Sequence, residues 1–216
     1  MQTIAALFVA TGGCYFNLPD VDPWDKERDA RKYAGPWPVV AHPPCERWGR
    51  YWGGGPMLHG TRRQKKLGDD DGCFRSALAS VRRWGGVLEH PEASHAWEHH
   101  WLKTPAWRKG WRQLAEREWT CCVAQGNYGH RARKLTWLFY CGSVRPPELD
   151  WSIPKLQIKL EDGYHSREER ARLRKTGICQ HLSHNQRAAT PVAFRDLLID
   201  LARRSGVSRT MRAVGS

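Results

Sequence analysis

The apolar residues of this 216-residue chain fall in short runs, and several of those runs stop at turn-forming or reactive side chains. None approaches the roughly 18–20 consecutive apolar residues that a membrane helix needs. Ile4 to Ala10 is halted by Thr11-Gly12-Gly13, and Pro38-Val39-Val40-Ala41 delivers the turn His42-Pro43-Pro44-Cys45. Val87-Leu88-Glu89 ends on a carboxylate just before His90-Pro91. Runs of this length bounded by Gly and Pro predict buried strands. Between them Phe74, Ala77, Leu78 and Val81 recur at helical spacing, with Arg75, Arg82 and Arg83 largely off that face and Gly85-Gly86 as the stop. Further on, Thr120–Ala124 and Thr136–Cys141 are strand-like and bracket a basic turn at 126–134. Thr190-Pro191 opens a last helix with Phe194, Leu197, Leu198 and Leu201 on one side. Strands alternating with helices predict an α/β layer fold, and the sequence has no internal repeat.

The length suits one domain with a real core. The opening residues carry no basic leader and read as a first buried strand, which predicts a cytoplasmic protein. Seven cysteines, an odd and scattered set, argue for reduced thiols over a disulfide framework. Lys and Arg outnumber Asp and Glu by 35 to 22, a formal charge of +13 that points to a polyanionic partner. Twelve tryptophans add to this, several of them (Trp48, Trp52, Trp101, Trp107, Trp111) among Arg, His and Lys. Such a mixture suits base stacking with phosphate binding, and equally suits packing at the rim of a core. Residues 17–37 are polar, and residues 49–72, rich in glycine and charge, predict a flexible loop able to close over a ligand. Ser166-Arg-Glu-Glu169 has the pattern of a capping box, and the last dozen residues form a basic tail.

A cysteine directly after Pro-Pro at the end of a strand is a rigidly aimed thiol. A soft nucleophile of this kind suits addition to carbon six of a pyrimidine, which makes carbon five electron-rich enough to attack a methyl donor. A carboxyl group near ring nitrogen three stabilises the adduct, and arginines hold the base oxygen and the thiolate. Cys45, Glu89 and the pair Arg131 and Arg133 supply that set in order.

Several short islands resemble the cytosine-5 DNA methyltransferase family. Ala6-Leu-Phe-Val-Ala-Thr-Gly-Gly13 is similar to its cofactor-strand motif Asp-Leu-Phe-x-Gly-x-Gly-Gly, and His42-Pro-Pro-Cys45 to its nucleophile motif. Val87-Leu-Glu-His90 resembles the strand that carries the acid, and Asn127-Tyr-Gly-His-Arg-Ala-Arg133 resembles the arginine motif. His184-Asn185 through Pro191-Val192-Ala193 resembles the final Gly-Asn-x-x-x-Pro-x-x-Ala motif. The resemblance implies a three-layer, mostly parallel sheet of the S-adenosylmethionine-dependent methyltransferase type, reduced in size. It implies S-adenosylmethionine as cofactor, held by Phe8, Thr11, Gly12, Gly13 and Asn185, with Asp20, Asp22 or Asp25 open as the ribose ligand. It implies a flipped-out cytosine of DNA as substrate, and catalytic roles for Cys45, Glu89, Arg131 and Arg133. Residues 1–142 and 183–204 would form the catalytic domain, 143–182 a minimal insertion in place of a target-recognition domain, and 205–216 the tail.

Other readings stay open. Cys179-x-His181-x-x-His184, with His95, His99, His100, Cys121 and Cys122, has ligand-like spacing for a zinc-binding nucleic-acid module, although no Cys-x-x-Cys pair is present. The same fold is also compatible with an inactive nucleic-acid-binding protein, or with an enzyme acting on a free pyrimidine nucleotide.

Overall fold

The computed structural model describes residues 2–49, 51–54, 58–155, 168, 171, 182 and 184–206. Their centre is a seven-stranded sheet: β1 (Ile4–Leu7), β2 (Val21–Trp24), β3 (Val39–Ala41), β4 (Gly86–Pro91), β5 (Arg112–Ala115), β6 (Glu118–Ala124) and β7 (Leu135–Cys141). Across the sheet the order is β2-β1-β3-β4-β7-β6-β5. The helices whose bounds lie among the described residues are α1 (Cys73–Trp84), α2 (Ala96–His99), α3 (His184–Ala188) and α4 (Val192–Arg204).

The α/β expectation holds, but the sheet is mixed where a mostly parallel one was expected. β2, β1, β3 and β4 run parallel, whereas β7 opposes β4, β6 opposes β7 and β5 opposes β6. The cause lies in the connections. β5 and β6 are joined through Glu116 and Arg117 alone, and β6 reaches β7 through a 3-10 turn (Gln125–Tyr128) and a bend. Neither link is a helical crossover of the kind that parallel neighbours need.

Alternation along the strands splits the core in two. On one face Ala5, Leu7, Val39, Ala41, Leu88 and Phe139 meet Phe74, Ala77, Leu78 and Val81 of α1, the four residues whose spacing predicted that helix. On the other, Ile4, Ala6, Val40, Val87, Leu138 and Tyr140 meet Phe194, Leu198, Ile199, Leu201 and Ala202 of α4. No helix lies between β1 and β2, so α4, from the far end of the chain, covers this face. It is tied to the region between those strands by Arg195, which donates to the Cys14 carbonyl at 2.9 Å, and by an Arg203–Asp20 ion pair.

Two local differences bear on the site. The first strand ends at Leu7, not Ala10, because Phe8 adopts φ 60° and breaks the extended backbone. The loop 49–72 is pinned at its ends, because Asp70 accepts from the Trp48 indole at 2.8 Å and from the Gly72 and Phe74 amides at the start of α1. The expected capping box at 166–169, apart from the helical Glu168, and the tail from 207 lie outside the described residues.

Candidate active site

The C-terminal ends of β1 and β3 diverge, one chain turning outward to β2 and the other inward to β4. Crevices at such a switch point are the usual ligand sites of open α/β sheets. Here the loops after β1 and β3 meet: the His42 amide donates to the Leu7 carbonyl at 3.0 Å, and the Tyr15 hydroxyl lies 2.8 Å from His42 Nε2.

β4 lies beside β3 and brings Glu89 to the same edge. Glu89 Oε2 is 2.9 Å from His42 Nδ1, and its Oε1 accepts from Gln125 Nε2 at 3.2 Å. Gln125 is fixed in turn by donating to Thr136 Oγ1 at 2.8 Å. Burial alone would push the Glu89 carboxyl up, but the hydrogen bond and charge of His42, then the charge of Lys134, hold it below the usual carboxylate range. The His42 Nδ1 donates to the ionised Glu89, and the Tyr15 hydroxyl, kept protonated by burial, lies against the Nε2 of the same ring. The result is a linear relay, Tyr15 to His42 to Glu89.

Cys45 stands at the turn after β3, partly exposed. Burial pushes its thiol up, the Glu89 charge adds to this, and a backbone hydrogen bond and the charge of Lys134 pull the other way. Lys134 feels both partners: burial lowers its pKa, while Glu89 and Cys45 oppose the shift. Its Nζ donates to the Ala189 carbonyl at 3.0 Å and reaches that of Ala188 at 3.4 Å, so it is held from behind. Cys45, Glu89 and Lys134 therefore share one electrostatic site.

The arginine pair was expected in that place, where the cation acting on both Cys45 and Glu89 is Lys134. Residues 131–132 form a bend within the predicted basic turn; Arg131 and Arg133 are both exposed, and the Arg133 guanidinium sits 4.7 Å from the Trp107 ring centroid. Lys134, at φ 39°, is the cation that faces Cys45 and Glu89. Sequence reasoning passed over Lys134, Gln125 and Tyr15 and treated His42 as a turn residue. The only hint was that His42 stands where the family motif carries an acid.

The expected cofactor residues divide. Phe8, Thr11, Gly12 and Gly13 form a tight turn at the crevice, closed by the Gly13 amide on the Ala10 carbonyl at 2.9 Å. Gly12, at φ 67°, has open space where a Cβ would project. Thr11 Oγ1 donates at 2.8 Å to Asp25, directly after β2, which also accepts from the Glu27 and Arg28 amides. Of the three candidate acids, Asp20 pairs with Arg203 and Asp22 with Arg28, leaving Asp25 as the one joined to this turn. An open glycine turn backed by a hydroxyl and a carboxylate suits a cofactor with ribose hydroxyls. Asn185 differs: it is exposed on α3, a segment whose contacts run to the 129–134 turn through Lys134 and through His130, which donates to the Gln186 carbonyl at 3.1 Å.

Among the described residues no group of three or more His, Cys, Asp or Glu side chains is placed to hold a metal. Cys121 and Cys122 are buried on opposite faces of the sheet, and Cys179 and His181 lie outside the described residues. No described helix is long and apolar enough to cross a membrane. The chain matches no family model, and no curated protein sequence matches it.

Proposed function

We propose that the protein is a DNA cytosine-5 methyltransferase-like enzyme that acts through a covalent Cys45 adduct. The observation that carries this reading is the shared site of a partly exposed thiol, in the turn after β3, and a mostly buried carboxylate on the adjacent parallel strand β4. The directions of their pKa shifts support the following roles. At rest the thiol keeps its proton and the carboxylate is ionised, so the first transfer runs from Cys45 to Glu89. The sulfur then bonds to carbon six of the cytosine. The electrons of the carbon five–carbon six double bond move toward nitrogen three, which takes the proton from Glu89.

Lys134 steadies the thiolate and the carboxylate through the exchange, and His42, backed by Tyr15, holds Glu89 in register. S-Adenosylmethionine, held by Phe8, Thr11, Gly12, Gly13 and Asp25, would supply a methyl group carried on a sulfonium, the electrophile that carbon five requires. Once carbon five is methylated, its proton passes to a solvent base. Nitrogen three returns its proton to Glu89, and the thiolate leaves carbon six. The net positive charge of the chain favours a polymer over a free nucleotide.

Two measurements test the proposal. Incubation with labelled S-adenosylmethionine and DNA should label cytosine with the wild type and lose the label with Cys45→Ala, while Glu89→Gln should slow transfer about a hundredfold or more. Without the methyl donor, addition of Cys45 should still exchange the carbon-five hydrogen of cytosine with deuterium from solvent. Exchange or label transfer that survives Cys45→Ala would reject the mechanism. Exchange without methyl transfer would retain the covalent step and remove S-adenosylmethionine from it.

A further inference from the structure

Away from the crevice, the outer side of α1 and the end of α2 enclose a shallow depression of about 360 Å³ bordered by Arg75, Arg82, His99, His100 and Trp101. Trp101 is 93% exposed. Its backbone is in the left-handed region at φ 59°, a costly conformation for a bulky residue, and is fixed there. The Trp101 amide donates to the Glu98 carbonyl at 3.1 Å, and the next residue, the buried Leu102, donates to Trp97 at 2.8 Å. The turn thus anchors its neighbours and projects an indole into water, where an apolar ring has nothing to gain unless it meets a partner.

The surroundings name the chemistry of that partner. α1 carries Arg75, Arg82 and Arg83 and no carboxylate, and from Trp101 to Gln113 the chain adds Lys103, Arg108, Lys109 and Arg112, again without an acid. Arg82 is paired with Glu118 at 2.8 Å, which leaves Arg75, exposed on the same stripe, as the more available charge. The depression also communicates with the candidate active site. The Trp48 amide donates to the Cys45 carbonyl at 3.0 Å, and the Trp48 ring meets His99 and His100 at centroid distances of 5.0 and 5.7 Å. The buried Trp48 thus packs the loop that carries Cys45 against the histidines that border the depression.

We propose that the depression is a second contact surface for single-stranded nucleic acid, with a base stacked on Trp101 and flanking phosphate held by Arg75. It rests on the polymer part of the function proposed above and not on methyl transfer. The test is fluorescence anisotropy with a short labelled single strand of mixed sequence and a matched strand made of abasic sites, without methyl donor. Trp101→Ala should weaken binding to the normal strand about tenfold and bind the abasic strand as the wild type does. Arg75→Ala should reduce the slope of log affinity against log salt by about 0.7. Both side chains are exposed, so unchanged thermal unfolding of the variants verifies their fold. Unchanged affinity of Trp101→Ala, or an equal loss on the abasic strand, overturns the stacking contact. An unchanged salt slope for Arg75→Ala overturns the phosphate contact. A protein that never methylates cytosine can pass this test, and a methylating enzyme can fail it, so the two proposals fall separately.

Discussion

Two charges at the site, Glu89 and Lys134, act on the Cys45 thiol, and each can be removed alone. Glu89 raises its pKa and Lys134 lowers it, on top of the shift that burial causes. Only the thiolate is alkylated at an appreciable rate. Glu89→Gln should therefore speed iodoacetamide labelling of the Cys45 peptide at pH 8 by roughly three- to tenfold, and Lys134→Met should slow it by a similar factor. Mass spectrometry of that peptide separates it from Cys14 and Cys73, which are also partly exposed. Opposite responses, or none, would mean that the three groups do not share a site. At this scale the sequence was informative where chemistry is local. A thiol after two prolines sits in the turn after β3, and the carboxylate closing an apolar run lies just past the last residue of β4 that pairs with β3, although β4 itself runs on to Pro91. The cation was not legible, because the motif resemblance pointed to Arg131 and Arg133 and gave Lys134, the next residue, no role. The bend at 131–132 leaves Arg131 and Arg133 exposed and Lys134 half-buried. His42 and Tyr15 meet across 27 positions, a contact that no local pattern encodes.

At the scale of elements, the site depends on how closely β3 and β4 approach. Their parallel register pairs Val39 with Gly86 and Ala41 with Leu88, which sets Cys45 and Glu89 at one edge. Gly86 has φ 124°, and a Cβ there would lie 1.9 Å from the Val39 carbonyl oxygen. That oxygen belongs to backbone and cannot swing aside, so Gly86→Ala should destabilise the protein by more than about 3 kcal/mol. Chemical denaturation should show a much lower midpoint, or the variant should fail to accumulate in soluble form. A midpoint within about 1 kcal/mol of wild type would contradict the pairing of these strands. The sequence revealed this glycine as a helix stop but not as a point of contact between strands. Apolar runs located β1, β3, β4, β6 and β7, and helical spacing located α1 and α4. β5 escaped, since Arg112-Gln-Leu-Ala115 is a mostly exposed edge strand that buries too little to leave a pattern. In the 49–72 loop nothing local announces that Asp70 holds both Trp48 and the start of α1.

For the whole molecule, acid should weaken the fold before any carboxylate at the site is protonated. His90 is buried beside Glu89, 2.7 Å from Ser94 Oγ and against the rings of Phe74 and Trp97, and burial pushes its pKa from 6.5 down to about 4. Between those values the unfolded chain binds a proton that the folded one refuses, so stability present above pH 6.5 is lost as the pH falls toward 4, by about 3 kcal/mol. Glu89, held below its ordinary 4.5, has the same sign but acts in a lower window, where the folded carboxylate is finally protonated. His100 and His130 are also lowered by burial and add to the upper window. His90→Gln should be less stable at neutral pH yet lose clearly less of its remaining stability between pH 7 and pH 5 than the wild type. Denaturant midpoints at the two pH values measure that difference. An undiminished loss in His90→Gln would assign the acid sensitivity to the other histidines. A diminished one would locate it one residue from the proposed acid, where the packing that holds Glu89 in place also keeps its neighbour neutral.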